Sequence, residues 1–465
     1  MTRSLVIVGA GLGGCFLANA LKDRWNITMV EIGSQLPVLH ERVKDTDIAA
    51  VTYPHIGSGL GGTTTLWHNG LIEIDEVVFR RHWPFAKSEL APYYQQVYPM
   101  LAGVPWIVIS DAFETLRLKY KSIGFAKSLF RQGLFYPHRR VNAWRALDLE
   151  GRVNVIEGEG TELVSDRKGK IHHLVVKSAG KRIEVSGDVF VIAAGGLGTP
   201  LLLQKLFENI PVPALRHAGL HYSDHPSAFV GEVVLDEPLY KLWNYPVAAA
   251  NGNLRLPIVV EQDGLQVSFQ LRPAAQFRIG GPRNRVKSIL SQLRNEPLKL
   301  GAYFRLLTHW DDVLDILSFK FGVRLPTRHY SLLMVAEQPP SEVRAVWREE
   351  DSIIHRKWSM SDSYMTSLQK AIQQLLGTLG DKVRSVNIFP DWHKEIFSSS
   401  HHSGTARMAL SPDEGVCDAN GRVFGLDNLF VCDGSIIPAS GYANTGLTIA
   451  ALARRLADYL LKHTD

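Results

Sequence analysis

The first 31 residues carry the pattern that most restricts the fold. An apolar run, Leu5–Val8, leads into the glycine-rich turn Gly9–Gly14, a stretch of helical character, Cys15–Lys22, and a second apolar run, Ile27–Val30, that ends in Glu31. This order of strand, glycine turn, helix and strand predicts a Rossmann-like βαβ unit that binds a dinucleotide. FAD and NAD fit the pattern equally well.

The residues of this turn have separate expected roles. Gly9 permits the tight turn, Gly11 lets a pyrophosphate approach the backbone, and Gly14 lets the helix pack closely on the strand. The helix N-terminus offers N–H groups and the positive end of the helix dipole to the phosphates, and Leu12 in the glycine turn is also expected at the cofactor. Glu31 is placed to accept hydrogen bonds from ribose hydroxyls and disfavours a 2′-phosphate.

Length and composition favour an ordinary globular enzyme. A chain of 465 residues is expected to form two domains. The net charge of +5, from 51 basic and 46 acidic residues, does not predict binding to nucleic acid. We find no apolar run of membrane-spanning length and no signal peptide before the first strand, which predicts a cytoplasmic protein without a transmembrane segment.

The three cysteines are too few and too scattered for a disulfide framework or a zinc site. They are Cys15, Cys417 and Cys432. The last two lie in apolar runs and are expected to be buried packing residues.

The C-terminal part of the chain carries a second ordered set of motifs. They are His401-His402-Ser403-Gly404-Thr405, then Asp433-Gly434-Ser435, then Asn444-Thr445. This set resembles the C-terminal signature of the glucose-methanol-choline (GMC) family of FAD-dependent alcohol oxidoreductases. The resemblance implies oxidation of the CH–OH group of a sugar, polyol or other small alcohol to an aldehyde or ketone, by hydride transfer to flavin N5. Oxygen or another acceptor would then take the electrons.

Other functional classes remain open at this stage. A flavin-containing enzyme without net redox chemistry, of the lyase type, is one alternative, since such proteins occur on the same fold. An NAD-dependent dehydrogenase that uses only the N-terminal fingerprint is another, but it leaves the Asp433 region without a role.

The resemblance also assigns the reacting groups. A histidine is the expected general base, because its side chain titrates near neutral pH. His401 is favoured over His402, because the family places this histidine three residues before the position of Gly404. Asn444 is the expected partner that donates to the substrate oxygen, and it is also a candidate N-cap for a helix predicted from Leu447 to Leu461. The cofactor is expected to contact Asp433, Gly434, Asn444 and Thr445. Without a third ligand nearby in sequence, the two adjacent histidines do not predict a metal site.

A glycine-rich segment, His55–Trp67, resembles the family loop that wraps the flavin and places Gly61, Gly62 and Thr63 at the cofactor. Some members carry a covalently linked histidine four positions after the Gly-Gly pair. Leu66 occupies that position here, so the FAD is expected to be non-covalent, although His68 leaves an unusual link open. Trp67 gives some resemblance to pyranose oxidase and bacterial sugar-acid dehydrogenases.

Two further segments resemble the FAD-binding part of the family. A strand predicted from Val153 to Val164 places Thr161 where the family contacts the adenine through its backbone. A buried strand, Asp188–Ala194, is followed by a helix starting in Gly195–Pro200, with the threonine as cap and the proline in the first turn. His225 is expected to be structural rather than catalytic.

Together these patterns predict an α/β protein, α+β overall, with a Rossmann-like FAD-binding domain and a substrate domain built on an antiparallel sheet. We assign residues 1–80, 150–226 and 395–465 to the FAD domain and 227–394 to the substrate domain. Residues 81–149 are expected to form a helical connection on the substrate side. Strands are predicted at Val230–Leu235, Asn253–Val260, Leu265–Leu271 and Tyr330–Ala336, with a hairpin turn at Gln262–Gly264.

The segment from Arg283 to Arg328 is basic and matches no family motif. Val286, Ile289, Leu290 and Leu293 have helical spacing, and Pro297 is expected to interrupt the helix. A cap helix, a mobile substrate lid and a peripheral membrane-surface helix remain open, in that order of preference.

Overall fold

The computed structural model describes most of the chain, and the structural statements below concern these residues. They are 3–33, 38–40, 43–46, 56–139, 141–166, 168–236, 242, 245–273, 289, 292–293, 296–308, 329–349 and 353–463.

Helices and strands are numbered here in chain order. The strands are β1 (Ser4–Val8), β2 (Asn26–Glu31), β3 (Val38–His40), β4 (Val43–Thr46), β5 (Ile56–Ser58), β6 (Leu134–Pro137), β7 (Asn154–Glu157), β8 (Glu159–Ser165), β9 (Ile171–Ser178), β10 (Lys181–Ser186), β11 (Val189–Ile192), β12 (Pro226–Leu235), β13 (Tyr245–Val247), β14 (Gly252–Arg255), β15 (Ile258–Gln262), β16 (Leu265–Pro273), β17 (His329–Ala336), β18 (Val346–Arg348), β19 (Ile354–Lys357), β20 (Val383–Ile388), β21 (Phe397–Ser398) and β22 (Leu429–Val431). The α-helices are α1 (Leu12–Leu21), α2 (Glu76–His82), α3 (Lys87–Ala102), α4 (Trp106–Ser122), α5 (Ala143–Ala146), α6 (Gly195–Asn209), α7 (Leu300–Thr308), α8 (Asp362–Leu379) and α9 (Gly446–His463). Short 3₁₀ helices lie at Gly62–Thr65, Lys127–Leu129, Pro213–His217, Ala248–Ala250, Gly380–Lys382, Trp392–Glu395 and Gly434–Ile436.

A five-stranded parallel sheet forms the predicted dinucleotide-binding unit. Its strand order is β22-β11-β1-β2-β7, with β1 hydrogen-bonded to β2 on one side and to β11 on the other. Residues 5–8 of β1 and all of β11 are buried apolar residues, as expected for central strands covered on both faces. Helices α1 and α9 pack against each other and so bring the two ends of the chain together.

A second, antiparallel sheet lies in the region predicted to bind the substrate. Its order is β15-β16-β17-β12-β20, and β21 pairs with the start of β12. The predicted hairpin between β15 and β16 is confirmed, because Asp263 and Gly264 both have positive φ, as a tight primed turn requires. The parallel and antiparallel sheets together confirm the predicted α/β class with two kinds of sheet. The exact domain boundaries stay a prediction.

Two predicted strands are wrong in their extent. The run Val153–Val164 is split at Gly158 into β7, which joins the parallel sheet, and β8, which joins β9 and β10. A side chain at 158 would crowd Val176 and the backbone of Lys177, so the glycine marks a close approach at this corner. The run Asn253–Val260 is split at Leu256–Pro257 into β14 and β15, which belong to different sheets.

The start of α6 also differs from the prediction. The helix begins at Gly195, so Thr199 and Pro200 lie inside it rather than at its cap and first turn. A proline at 200 cannot donate to the carbonyl of Gly196. The hydroxyl of Thr405 donates to that carbonyl instead, at 2.7 Å, so the C-terminal motif satisfies the group that the proline leaves unpaired.

Much of the basic segment lies outside the described residues, including Val286 and Leu290 of the predicted helix. Pro297 does interrupt the local structure, since residues 297–298 form a turn before α7 begins at Leu300. Ala302 is buried, whereas Leu300, Phe304 and Leu307 are exposed. Within the described ranges, no helix combines the length and apolar character needed to cross a membrane.

Candidate active site

A large cavity opens at the carboxyl end of the parallel sheet. Its volume is about 1090 Å³, which is large enough for a dinucleotide. Most of the residues predicted to bind the cofactor line it, namely Gly9, Gly11, Leu12, Glu31, Gly62, Thr63, Thr161, Asp433, Gly434, Asn444 and Thr445. The structure therefore brings together residues from the two ends of the chain and from its middle at one cavity.

The predicted glycines fall into two groups. Gly11 lines the cavity, and a Cβ added there would meet only the Ala193 carbonyl oxygen, at 3.8 Å. Gly14 and Gly61 do not line it. A Cβ at Gly14 would overlap the carbonyl oxygen of Gly9, and one at Gly61 would overlap the side chain of Asn142. Gly11 leaves room for a ligand, whereas the other two allow close packing behind the cavity wall.

Glu31 is held rigidly at the end of β2. Its carboxylate accepts hydrogen bonds from the backbone N–H groups of Ala10, at 2.7 Å, Gly59, at 2.9 Å, and Gly33, at 3.1 Å. Burial raises the pKa of Glu31, and these N–H groups oppose that rise. The side chain thus joins the glycine turn to the second glycine-rich loop while remaining at the cavity.

Thr161 lies in β8 and lines the same cavity. A bulge occurs here, because Gly160 pairs with Val176 while Glu162 pairs with Val175. The hydroxyl of Thr161 donates to the Val175 carbonyl at 3.3 Å. The backbone of Thr161 is thereby released from the ladder, which suits the backbone contact expected of it.

Asp433 ties the C-terminal motif to the start of α6. Its carboxylate accepts from Gly195 N, at 2.8 Å, from the Thr199 hydroxyl, at 2.5 Å, and from Ser435 N, at 2.8 Å. Burial raises the pKa of Asp433, and these hydrogen bonds favour its ionised form. Thr199 therefore donates a hydrogen bond to Asp433 and does not serve as the predicted helix cap.

His401 and Asn444 meet at the inner end of the cavity. Nδ2 of Asn444 lies 3.1 Å from Nε2 of His401. Helix α9 begins at Gly446, so Thr445 directly precedes it, and the side chain of Asn444 contacts His401 rather than capping the helix. An amide donor and an imidazole nitrogen thus face the same space.

His225 extends this contact into a chain of hydrogen bonds. Its Nδ1 lies 3.1 Å from Nδ1 of His401, and its Nε2 lies 2.9 Å from the hydroxyl of Ser440. If Asn444 donates to Nε2 of His401, then His401 donates from Nδ1 to His225, and His225 donates from Nε2 to Ser440. This assignment satisfies every group with both rings neutral. His225, which we expected to be structural, is in direct contact with the candidate base.

The environment keeps both rings unprotonated near neutral pH. Burial lowers the pKa of His401, and the charge of Asp224 only partly offsets this effect. Burial and the neighbouring His401 lower the pKa of His225 to about 3. His401 therefore presents an unprotonated Nε2 beside Asn444.

Asp224 is the carboxylate that positions His401. Its Oδ1 accepts from the backbone N–H of His401, at 3.0 Å, and from that of His225, at 2.7 Å, while Oδ2 accepts from the Ser398 hydroxyl. Burial raises the pKa of Asp224, but the interactions with His402, Arg356 and Ser398 outweigh it and hold the pKa well below its ordinary value. Asp224 is thus a fixed negative charge behind the histidine.

A buried arginine, Arg356, neutralises this charge and a second carboxylate. Its Nε and Nη2 form a two-pronged pair with Asp45, at 2.6 and 2.8 Å, and its Nη1 donates to the Tyr222 hydroxyl at 3.0 Å and lies 3.7 Å from Asp224. Sequence reasoning missed this group, because Asp45 reaches Arg356 only through the parallel pairing of β4 with β19.

His402 has different surroundings. Its Nδ1 lies 2.9 Å from the Tyr222 hydroxyl and 3.9 Å from Asp224 Oδ2. It lines the large cavity but has no hydrogen bond to Asn444. In the described part of the chain, no three His, Cys, Asp or Glu side chains are grouped so that they could hold a metal ion. Cys15, Cys417 and Cys432 are buried and form no disulfide, and the expectation for the last two is confirmed.

A smaller cavity of about 140 Å³ adjoins the first. His401, Asn444 and Tyr136 line both cavities, whereas Gln270 and Arg272 line only the smaller one. The predicted strand, Leu265–Leu271, includes Gln270 but ends one residue before Arg272, and the sequence did not place either residue at the site. The only available signal was that polar residues alternate with apolar ones along β16, which is also the pattern of an exposed strand face.

Comparison with known sequences matches the C-terminal part of the chain most clearly. A family model described as GMC oxidoreductase matches residues 352–453. A cholesterol oxidase of Acinetobacter baumannii is 45% identical over 67 residues, which are 14% of this chain and 12% of the relative. A 2-methyl-1,2-propanediol dehydrogenase of Mycolicibacterium austroafricanum is 23% identical over 90% of this chain and 83% of its own. The strongest local matches thus span about an eighth of their relatives' length, and the last spans most of its relative.

Solved structures match over the whole chain. Pyridoxine 4-oxidase from Mesorbium loti superposes with a TM-score of 0.64 at 17% identity, covering 99% of both chains. A variant of formate oxidase from Aspergillus oryzae RIB40 gives a TM-score of 0.63 at 15% identity, covering 100% of this chain and 99% of that one. At these identities the likeness concerns the fold.

The parallel sheet with its cavity, the antiparallel sheet and the C-terminal motifs are the features expected of a flavin-dependent oxidoreductase. The family match over residues 352–453, together with the relative that spans most of the chain, supports the glucose-methanol-choline family of oxidoreductase enzymes, as the C-terminal signature predicted. FAD is the cofactor of this family, and the large cavity fits it: Gly11 leaves its wall open and the N-terminus of α1 faces the cavity.

Proposed function

We propose that the protein oxidises an alcohol to an aldehyde or ketone with FAD, using His401 as general base and Asn444 as the donor to the substrate oxygen. One observation carries the proposal. Nε2 of His401 and Nδ2 of Asn444 lie 3.1 Å apart, and both side chains line the large cavity as well as the smaller one beside it. An alcohol bound there would have a base and a donor at its hydroxyl.

The cofactor would be held by the two ends of the chain. Gly9, Gly11 and the N-terminus of α1 suit the phosphates, Glu31 the ribose, and the Asp433–Gly434 turn the region nearer the flavin. When bound, FAD supplies the acceptor for the hydride that leaves the alcohol carbon. Because Leu66 occupies the position of the linking histidine, we propose that the FAD is non-covalent.

His401 would take the hydroxyl proton at Nε2. Its lowered pKa leaves this nitrogen free at neutral pH, and an alcohol oxygen between the two side chains would replace their mutual hydrogen bond. The amide of Asn444 would then donate to the oxygen as negative charge develops on it. Asp224, hydrogen-bonded to the backbone of His401, would stabilise the imidazolium that forms.

The chain of hydrogen bonds behind His401 would orient the base. Nδ1 of His401 already faces Nδ1 of His225, and Nε2 of His225 faces the Ser440 hydroxyl. With Nδ1 of His401 donating to Nδ1 of His225, Nε2 is left as the nitrogen that can accept a proton. His225 would therefore act as a positioning residue that fixes the tautomer of the base.

Relatives with named activities support the reaction type. They include the cholesterol oxidase, a 5-(hydroxymethyl)furfural oxidase of Methylovorus sp. (strain MP688) and a long-chain-alcohol oxidase of Arabidopsis thaliana. The alcohols in these names differ greatly in size and polarity. They support oxidation of an alcohol. The substrate class has to be inferred from the residues that line the cavity of this chain.

The test is anaerobic reduction of the purified holoenzyme by a panel of alcohols, sugars, polyols and hydroxy acids. We expect one class to bleach the visible flavin absorption, and readmitted air then separates an oxidase, which recovers rapidly, from a dehydrogenase. Acid precipitation should release the FAD into the supernatant. A yellow protein that every compound leaves oxidised would contradict the proposal and favour a non-redox enzyme.

A further inference from the structure

The face of β16 that meets the smaller cavity is polar and buried. Its even-numbered residues are Gln266, Ser268, Gln270 and Arg272, each no more than 9% exposed, whereas Val267, Phe269 and Leu271 form an apolar face on the other side. A strand buried on both faces is normally apolar on both. Polar groups on an enclosed face are costly unless they have partners, so this face is built to meet something polar.

The register of the sheet places this polar face opposite the catalytic pair. Gln270 pairs with Leu333, and Ser227 of β12 pairs with Val335 of the same strand, β17. All four residues line the smaller cavity together with Arg272, and His401 and Asn444 line it as well. The cavity therefore has an alcohol-binding pair and a guanidinium in its lining.

Arg272 and a second arginine, Arg255, place two guanidinium groups at or near the smaller cavity. Arg272 is 8% exposed and donates from Nη2 to Oε1 of Gln270 at 2.5 Å. Arg255 lies over the ring of Tyr136, 4.5 Å from its centroid, and Tyr136 lines both cavities. Burial and the charge of Arg272 lower the pKa of Arg255 to about 9, so the two cations act on each other within the protein.

We propose that the substrate is a small alcohol that also carries a carboxylate, which Arg272 binds while the hydroxyl lies between His401 and Asn444. This inference rests on the function proposed above and names its substrate class. A guanidinium presents parallel N–H groups that match the two oxygens of a carboxylate. The hydrogen bond that Arg272 donates to Gln270 holds the guanidinium beside the cavity, and the volume of about 140 Å³ limits the acid to a few carbon atoms.

Binding of matched acids and neutral alcohols tests the inference separately from catalysis. The oxidised holoenzyme is titrated with glycolate, lactate and glycerate and with their neutral partners ethylene glycol, propane-1,2-diol and glycerol, and the flavin spectrum reports binding. We expect at least one acid to bind about tenfold or more tightly than its partner. Anaerobic reduction by the same six compounds is measured in parallel.

Variants assign any preference to Arg272. Arg272→Gln should weaken acid binding by about 10- to 100-fold and bring the acid-to-neutral ratio close to one. Arg272→Lys keeps the charge without the paired donors and should retain part of the preference. Arg384→Gln is the matched control, because Arg384 lies on β20 of the same sheet, is 62% exposed and pairs with Asp236.

The outcomes separate this inference from the proposed function. If a neutral alcohol reduces the flavin while no acid binds, or if Arg272→Gln binds the acid as well as the wild type, the carboxylate site is refuted. If acids bind through Arg272 and none of the six compounds reduces the flavin, the anion site is supported and oxidation of such alcohols is refuted.

Discussion

The side chains of His401 and Asn444, 43 residues apart in sequence, meet with Nε2 and Nδ2 separated by 3.1 Å. The amide can only donate through Nδ2, so this contact assigns the lone pair of the imidazole to Nε2. The other ring nitrogen, Nδ1, then carries the proton and faces His225. One hydrogen bond thus fixes which atom of the histidine is available as a base.

Removing His401 should reveal it as the base. We expect His401→Ala to slow anaerobic flavin reduction by a saturating alcohol about 10²- to 10⁴-fold. His402→Ala should slow it less than about tenfold, because His402 is hydrogen-bonded to Tyr222 and not to Asn444. Stopped-flow reduction of both variants decides between the neighbours, and a larger loss in His402→Ala would reverse the assignment.

Asn444 should contribute through its donor. Asn444→Ala is expected to lower the rate of flavin reduction about 10²- to 10³-fold, since the developing charge on the substrate oxygen would lose its hydrogen bond. Asn154→Ala, at an exposed position of the edge strand β7, is the matched control and should react like the wild type. If Asn444→Ala retains the wild-type rate while staying folded, the amide has no part in the reaction.

The pH dependence should report the environment of His401. The base works when unprotonated, and burial lowers its pKa, so kcat/KM should be constant at neutral pH and fall as the pH drops below the ordinary histidine range. Asp224 raises the pKa of His401, and Asp224→Asn should therefore move this acidic limb to lower pH. Profiles of kcat/KM for both proteins measure the shift, and a limb displaced toward higher pH would contradict the geometry.

Two glycines should separate cofactor binding from folding. Gly11→Ala places a methyl group in the cavity wall without overlapping the protein, so it should weaken FAD binding while the apoprotein unfolds as in the wild type. Gly14→Ala drives the methyl group into the carbonyl of Gly9, so it should destabilise the apoprotein itself. Thermal unfolding of the apoproteins and titration with FAD distinguish the two effects, and identical behaviour would show that Gly11 has no special role at the cofactor.

Arg356 should be important for stability because it neutralises buried carboxylates. Arg356→Leu leaves Asp45 and Asp224 uncompensated and should lower the free energy of unfolding by about 3–5 kcal/mol. The folded pKa of Asp224 is depressed, so its stabilising contribution exists above the unfolded pKa and is lost as the pH falls through the folded value. Urea unfolding should therefore show that Arg356→Leu lowers the free energy of unfolding more at neutral pH than at acidic pH.

A surface pair provides the comparison. Arg182 is 67% exposed and pairs with Glu162, so Arg182→Leu should cost no more than about 1 kcal/mol. Equal losses in the two variants would mean that the buried network contributes nothing beyond an ordinary ion pair.

The dinucleotide-binding unit was predictable because its signals are local. Strand, glycine turn and helix follow one another within the first 21 residues, and each requires only its neighbours in sequence. The presence of His401 and Asn444 at the cavity could be predicted for another reason, since a known family carries the same residue types in the same order. Their hydrogen bond could not, because it depends on where two loops meet.

The support behind the site could not be predicted from the sequence. Asp45 and Arg356 are 311 residues apart and meet only because β4 and β19 pair in parallel. The polar face of β16 was hidden for a different reason, since alternating polar residues usually face solvent. Only the packing of the sheet over the smaller cavity shows that Gln270 and Arg272 are enclosed.

The strand order of the parallel sheet has a consequence for folding during synthesis on the ribosome. Its edge strand, β22, ends at Val431. Its neighbour, β11, and the next strand, β1, were made some 240 and 420 residues earlier. Thr405 and Asp433 are also made late, and they hydrogen-bond to Gly196 and Gly195 at the start of α6. A nascent chain must therefore keep an open sheet edge protected until residues 429–431 have emerged from the ribosome. The residues that close this edge lie between His401 and Asn444 in sequence, so a chain that stops before residue 429 lacks both this edge and part of the proposed site.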